Sequence, residues 1–125
     1  MELKKYFEGT KGTGVLSTAD KEGRVDAAIY SRPHFINEGE LAFIMADRLT
    51  HKNITENPYA VYLFKEDGPG YRGKRLHLTM LREEDDPEKI EPLRRRHYSP
   101  EDEAAMKPLF LVHFKVDQER ELVGG

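Results

Sequence analysis

Three adjacent polar residues, Thr50, His51 and Lys52, are the side chains in this sequence best suited to bind an anion. They stand where an apolar segment, 41–46, gives way to residues 48–56, which fit a short helix. A helix that begins just after a strand presents free backbone N–H groups and the positive end of its dipole. A hydroxyl, an imidazole and an ammonium would add donors there, so the segment predicts a phosphate site. The alternative, that His51 and Lys52 are ordinary solvated helix residues, stays open.

Other polar residues are weaker candidates for chemistry. Arg32 and His34 flank a proline and fit an ordinary polar loop as well as they fit a binding site. His77 and His113 fall in predicted strands, where a histidine is more often packed than a ligand. No grouping of His, Asp and Glu has the spacing of a metal site, so no structural metal is expected. The run 94–96 of three arginines lies among acidic residues, which favours a solvated mixed-charge face over a nucleic-acid patch.

Alternating apolar residues separated by turn residues predict about six strands that would position these candidates. The predicted strands are 12–19, 24–31, 41–46, 59–65, 71–81 and 109–116, with residues 35–36 as a short addition. The near-continuous apolar character of segment 59–65 predicts burial on both faces.

Short helices are predicted around the strands, at residues 2–7, 48–56, 87–97 and 99–106. Asn57 and Pro58 end the second of these, because the residue before a proline avoids the helical region. Ser99 resembles the first residue of a capping box and opens the last one. The sum is a single domain, 1–125, of mainly β (α+β) class: a small antiparallel β-barrel with short peripheral helices.

The composition limits the classes of partner. The 20 Lys and Arg against 23 Asp and Glu give a net charge of −3, which suggests neither nucleic acid nor an anionic membrane. No apolar run could span a bilayer, residues 1–7 lack the apolar region expected of a signal peptide, and the absence of cysteine fits a cytoplasmic location. Hydrophobic residues make up 38% of the chain and charged residues 34%, so we expect burial at a subunit interface to add stability.

Three segments carry a resemblance to a known family. They are the hairpin 14–30, the stretch from Thr50-His51-Lys52 to Asn57-Pro58, and the Gly-Pro-Gly-Tyr-Arg-Gly stretch 68–73 that precedes a strand. In this order they resemble the pyridoxamine-5′-phosphate-oxidase-like flavoproteins, which fold as an FMN-binding split β-barrel. The resemblance covers nearly the whole chain and implies a six-stranded antiparallel split barrel that binds FMN.

The resemblance also implies a cofactor site at a homodimer interface. Backbone groups at the end of the second strand would support the isoalloxazine, and the turn after the third strand would hold the phosphate with one added cation. The implied cofactor-binding residues are Ala28, Ile29, Tyr30 and Ser31 for the ring, Thr50, His51, Lys52 and Arg32 for the phosphate, Met45 and Ala46 as pocket lining, and Tyr71 or Leu109 from the partner subunit.

The implied activity is that of an FMN-dependent oxidoreductase acting on a small-molecule redox substrate. Vitamin B6 oxidation is not implied, because the longer basic pattern on the second strand and the C-terminal substrate-phosphate residues of the true oxidase are not found. No acid–base residue is assigned, although Tyr30 and His34 lie near the expected flavin site. The alternatives are a non-catalytic flavin-binding or electron-transfer module, a split barrel that binds heme or a deazaflavin, and a dimeric barrel that binds nothing.

Overall fold

The computed structural model describes residues 2–124. Its centre is one antiparallel sheet in the order β2-β1-β5-β6-β7-β4-β3. The strands are β1 Gly12–Ala19, β2 Val25–Ile29, β3 His34–Asn37, β4 Glu40–Ala46, β5 Tyr59–Glu66, β6 Gly73–Glu84 and β7 Leu109–Glu121.

The sheet differs from the predicted six-stranded barrel in two respects. It has seven strands, because residues 34–37 form a full edge strand that pairs with β4 through His34 and Phe35, opposite Ala42 and Leu41. It is also open, since β2 pairs only with β1 and β3 only with β4. The two edge strands therefore keep unpaired backbone groups, which a closed barrel would not have.

The helices are short and lie at the periphery. They are α1 Glu2–Gly9, α2 Leu49–Glu56, α3 Pro87–Ile90 with a 3-10 turn Glu91–Leu93, and α4 Pro100–Met106. The helix predicted for residues 87–97 was too long. Pro92 has no N–H to donate, so the helix tightens into a 3-10 turn and Arg94 is already extended, with ψ 130°. Ser99 accepts a hydrogen bond from the Asp102 N–H, which confirms the predicted cap of α4.

The inner face of the curved sheet holds the core. Leu16 of β1, Phe43 of β4 and Tyr62 of β5 are buried there, and Phe7 adds a ring from α1. The rings of Phe43 and Tyr62 lie 5.0 Å apart, which ties the β4 side of the sheet to the β5 side. No helix within residues 2–124 has both the length and the apolar character that crossing a bilayer requires.

The outer face is only partly covered. The prediction that β5 is buried on both faces was wrong, because burial alternates along it and Tyr59 is 66% exposed. Val25 and Ile29 on the neighbouring edge strand β2 are 83% and 71% exposed. The apolar residues that read as a doubly buried strand therefore lie on an unpartnered sheet surface.

Candidate functional site

A cleft of about 870 Å³ opens where the β2 edge of the sheet faces β4. One wall is β2 and the segment that follows it, and the opposite wall is β4. The first turn of α2 closes one end, and residues 94–98 run along the side. The volume lies within the range of cofactor sites. The lining residues that matter below are Asp26, Ala28–Arg32, His34, Ala46, Arg48–Thr50, Arg94–Arg96, Tyr98 and Leu109.

The β2 wall is held at Tyr30. Its backbone N–H donates to the Gly14 carbonyl at 3.0 Å, and the Tyr62 hydroxyl donates to the Tyr30 carbonyl at 3.1 Å. Gly14 is required for this arrangement, because a Cβ there would lie 1.9 Å from the Tyr62 hydroxyl oxygen and 2.6 Å from the Tyr30 carbonyl oxygen. The backbone that forms the wall is thus fixed in position by two other strands.

The same wall carries free backbone groups. In an antiparallel ladder, hydrogen-bonded and non-hydrogen-bonded pairs alternate. Because Tyr30 bonds to Gly14, the bonded positions on β2 are Ala28 and Asp26, while the N–H and C=O groups of Ala27 and Ile29 point to the open edge. A planar ligand against this edge could therefore be bound by backbone donors and acceptors alone.

The first turn of α2 offers further donors. Arg48 is the N-cap in an extended conformation, and no side chain caps the turn. Helical bonding begins with the Lys52 N–H, which donates to the Arg48 carbonyl at 2.9 Å. The preceding N–H groups, those of residues 49–51, are the usual unsatisfied donors of a helix start. Together with the buried side chain of Thr50, they form a site for an anionic group at this end of the cleft.

Tyr30 reaches the same end of the cleft. Burial raises the pKa of its phenol, a hydrogen bond with Thr50 opposes that shift, and the charge of Asp26 adds to it. The phenol is therefore neutral at pH 7, and it can act as a hydrogen-bond donor beside Thr50.

The cleft is strongly cationic, although the whole chain is not. Five arginines line it, at positions 32, 48, 94, 95 and 96, against the single carboxylate of Asp26. Arg94 is neutralised by Glu103 at 2.7 Å and Glu91 at 3.3 Å. Within residues 2–124 no carboxylate forms an ion pair with the other four arginines. An anionic ligand would supply the missing countercharge.

Comparisons with known proteins bear on what such a cleft serves. No protein-family model matches the chain, and no curated protein matches it by sequence. Solved structures do match, at low identity. An FMN-binding protein from Syntrophomonas wolfei is 16% identical with a TM-score of 0.70, covering 95% of this chain and 82% of that one. An F420 reductase is 15% identical with a TM-score of 0.73, covering 93% and 94%. A Listeria innocua protein provisionally named pyridoxamine 5′-phosphate oxidase is 16% identical with a TM-score of 0.66, covering 97% and 95%.

The chain has the split-barrel fold of the pyridoxamine 5′-phosphate oxidase-like flavoproteins. At the level of the fold, this confirms the resemblance and the fold class predicted from the sequence, apart from the strand count and the closure of the barrel.

Most residues predicted for the site line the split-barrel cleft. They are Ala28, Ile29, Tyr30, Ser31, Arg32, Ala46 and Thr50. Leu109, predicted as a contribution of the partner subunit, lines the cleft of its own chain. The structure therefore brings together the end of β2, the end of β4 and the start of α2, as the sequence motifs indicated.

Four predicted residues lie outside the cleft lining. Met45 is fully buried in the core, where it faces away from Ala46 because side chains alternate along a strand. Lys52 is exposed on α2, and Tyr71 is exposed in the segment between β5 and β6. His51 is buried against β7, its ring stacked on Phe110 at 4.0 Å between centroids. The cofactor roles predicted for these residues stay predictions.

Helix geometry explains why Thr50 and His51 separate. Adjacent residues on a helix point about 100° apart, so they cannot both face one ligand. His51 turns toward carboxylates, with Nε2 at 3.1 Å from Glu83 and Nδ1 at 3.5 Å from Asp47. His113 is also buried, with Nε2 at 2.7 Å from Glu84, which confirms the prediction that it is a packed histidine.

Sequence reasoning missed the arginines and Tyr98 of segment 94–98. Their surrounding acidic residues predicted a solvated mixed-charge face. Opposite charges do meet at Arg94, whose carboxylate partners come from the same stretch of chain, but its side chain is only 6% exposed. Arg95 and Arg96 are exposed, and no carboxylate in the described chain pairs with them. The one available signal was Pro92, which ends the helix and releases the following arginines as an extended segment that can reach the cleft.

Proposed function

We propose that the chain binds FMN in the split-barrel cleft and acts as an FMN-dependent oxidoreductase on a small-molecule substrate. The observation that carries the proposal is the pairing of two features: an uncapped helix start with the unpaired Arg48 at the α2 end, and free backbone groups along the β2 edge. The first suits a phosphate and the second a planar ring with polar edges. Among proteins with this fold, one is named for FMN binding and one for F420 reduction.

In this proposal, each part of the cleft binds one part of FMN. The N–H groups of residues 49–51, the hydroxyl of Thr50 and the guanidinium of Arg48 hold the phosphate. The β2 edge at Ala27 and Ile29 orients the isoalloxazine, and Tyr30 donates from the cleft wall. When bound, FMN supplies hydride or electron transfer, and the protein positions it and excludes water from one side.

A homodimer is part of the same proposal. The outer face of β2, β1 and β5 carries a largely apolar set of side chains around Ser17, aligned by the strand register: Val15, Ala19, Val25, Ala27, Ile29, Tyr59, Val61 and Leu63. Such a surface suits a second copy of the chain. Because Ile29 belongs to both this face and the cleft lining, the partner subunit would lie beside the cofactor.

The dimer can be tested without a ligand. Light scattering at micromolar concentration should give twice the chain mass for the wild type. Val25→Glu, which introduces a charge outside the cleft at an 83% exposed position, should give the monomer mass with an unchanged circular dichroism spectrum. A monomeric wild type would contradict the dimer.

Cofactor retention tests the main proposal. Purified protein is incubated with FMN, F420 or heme, and its visible spectrum is recorded after gel filtration. We expect about one FMN per chain to be retained, and we expect the bound flavin to be reduced by NAD(P)H. Retention of F420 or heme without FMN would mean that the cleft binds that cofactor instead of FMN. Retention of flavin without turnover would indicate a binding or electron-transfer module. Retention of none of the three would contradict the proposal.

A further inference from the structure

A second cavity, of about 320 Å³, lies between α1 and the start of β3. It shares Arg32, His34 and Arg95 with the main cleft, so these three side chains separate the two spaces. Neither the sequence motifs nor the proposed flavin site accounts for this smaller cavity.

Part of the lining of the small cavity is apolar. Phe7, which is buried, and Phe35 lie nearly parallel, with ring centroids 5.9 Å apart and planes 29° apart. Pro33, also buried, adds the remaining apolar contact. An aromatic ring is the group that gains most from such a surface, because it buries a large area with few internal rotations.

Two guanidiniums also line the cavity. Arg32 Nη1 donates to the carbonyls of Phe7 at 2.7 Å and Thr10 at 3.1 Å, and Arg95 Nη1 donates to the Arg32 carbonyl at 2.6 Å. A guanidinium carries five N–H donors, so both arginines keep donors for a further partner. The hydrogen-bond acceptors of both guanidiniums are neutral carbonyls, which fix the positions of the two side chains without neutralising their charges.

The two charges lack compensation within the protein. Across residues 2–124 no carboxylate pairs with Arg32 or Arg95, and the Glu8 carboxylate at the rim pairs with Lys4 instead, at 3.8 Å. Burial, with the charge of Arg95, lowers the pKa of His34 to about 4, so that ring is neutral at pH 7. Burial and the charge of Arg32 also lower the pKa of Arg95. Two neighbouring cations in this setting favour an anion between them.

We propose that the small cavity binds an aromatic monocarboxylate, with the carboxylate on Arg32 and Arg95 and the ring against Phe35. Guanidinium and carboxylate match in planar, two-point geometry, which a neutral amide cannot reproduce. The cavity volume, at the low end of the range for ligand sites, suits a small molecule. The inference concerns this cavity alone and does not require a flavin in the main cleft.

The test is an NMR titration of the purified full chain with benzoate, and with benzamide as the neutral molecule of the same shape. Saturable shifts are expected at the amides of Phe7, His34 and Phe35 with benzoate only. Arg95→Gln should weaken benzoate binding about tenfold or more. Arg72→Gln, which removes an exposed arginine outside both cavities, should bind benzoate as the wild type does.

Three outcomes would overturn the proposal: no benzoate shifts at these amides, equal binding of benzamide, or unchanged affinity in Arg95→Gln. If Arg95→Gln does not fold, Arg95→Lys replaces it, and the expected loss is smaller because a single ammonium keeps the charge but not the two-point contact. The titration is run without added flavin. If the chain binds benzoate but retains no FMN, the carboxylate site is supported and the flavin site is not. If it retains FMN but does not bind benzoate, the flavin site is supported and the carboxylate site is not.

Discussion

Arg94 and Arg95 are neighbours in the sequence but have opposite surroundings. The Arg94 side chain is 6% exposed and is enclosed by Glu91 and Glu103. Arg95 donates a hydrogen bond to the backbone carbonyl of Arg32, and no carboxylate in the described chain pairs with it. One arginine therefore holds segment 91–106 together, while the next is available to a ligand. Arg48, at the α2 end of the cleft, also lacks a carboxylate partner in the described chain and so differs from Arg94 in the same way.

The largest effect on stability should come from removing the paired arginine. Arg94→Gln leaves Glu103 partly buried without its cation, and we expect the free energy of unfolding to fall by about 2 kcal/mol. Urea denaturation followed by circular dichroism measures this. Arg96→Gln, next to it and without a carboxylate partner, is the matched control and should change stability by less than about 0.5 kcal/mol. Equal losses of unfolding free energy in both variants would contradict the difference between paired and unpaired arginines.

The unpaired arginine at the α2 end should show the reverse pattern. Arg48→Gln removes a charge-assisted bond to the FMN phosphate, so we expect FMN affinity to fall by about 1.5–3 kcal/mol. Its stability without ligand should match that of the wild type, because Arg48 is exposed and has no ion pair among residues 2–124. Calorimetric titration with FMN and urea denaturation together check both halves. A loss of stability without a loss of FMN affinity would mean that Arg48, like Arg94, serves the fold and does not bind the ligand.

The ion pairs of Arg94 also predict a pH dependence. A hydrogen bond from Arg94, with another from the Tyr98 N–H, holds the pKa of the Glu103 carboxyl below its ordinary value of 4.5. Because the folded-state pKa is the lower one, this contribution to stability is complete above pH 4.5 and is lost as the pH falls through the lowered value. The wild type should therefore lose stability in acid more steeply than Arg94→Gln. Parallel pH profiles would contradict the assignment.

The smallest effect on FMN affinity is expected at Lys52 of α2, where the sequence motif and the observed geometry predict different losses. The motif Thr50-His51-Lys52 predicts that Lys52→Ala weakens FMN binding by about 1.5–3 kcal/mol, as for any direct phosphate contact. Lys52 is exposed and does not line the cleft, so the geometry predicts a loss below about 0.5 kcal/mol, from charge alone. Titration of Lys52→Ala beside Arg48→Gln decides between them. Equal losses would favour the motif.

The sequence predicted the strands well where one face is apolar. The strand 12–19 was predicted with its observed bounds, because Leu16 and the alternation around it mark a buried face. It missed the length of β7, which runs to Glu121, because residues 117–121 are mostly polar and are held by pairing with β6 rather than by burial. It counted residues 35–36 only as an addition, since a four-residue edge strand has too few side chains to show a period.

The site was predicted where it depends on a continuous segment and missed where it depends on distant ones. The β2 wall and Thr50 follow from a strand end and a helix start, which are local features. Arg95 reaches Arg32 across 63 positions of sequence, and no local pattern reports that contact. His51 was misplaced because three consecutive residues were treated as one surface, although a helix turns each of them to a different side.

Riboflavin keeps the ring of FMN and lacks the phosphate, so a comparison of the two ligands isolates the contribution of the phosphate site. Calorimetric titration of the wild-type chain with both should give an affinity for FMN about 10- to 100-fold higher, the contribution of the uncapped α2 start, Thr50 and Arg48 to the phosphate. Arg48→Gln should narrow that ratio without changing the affinity for riboflavin. Equal affinities of the wild type for FMN and riboflavin would contradict a phosphate site at the start of α2.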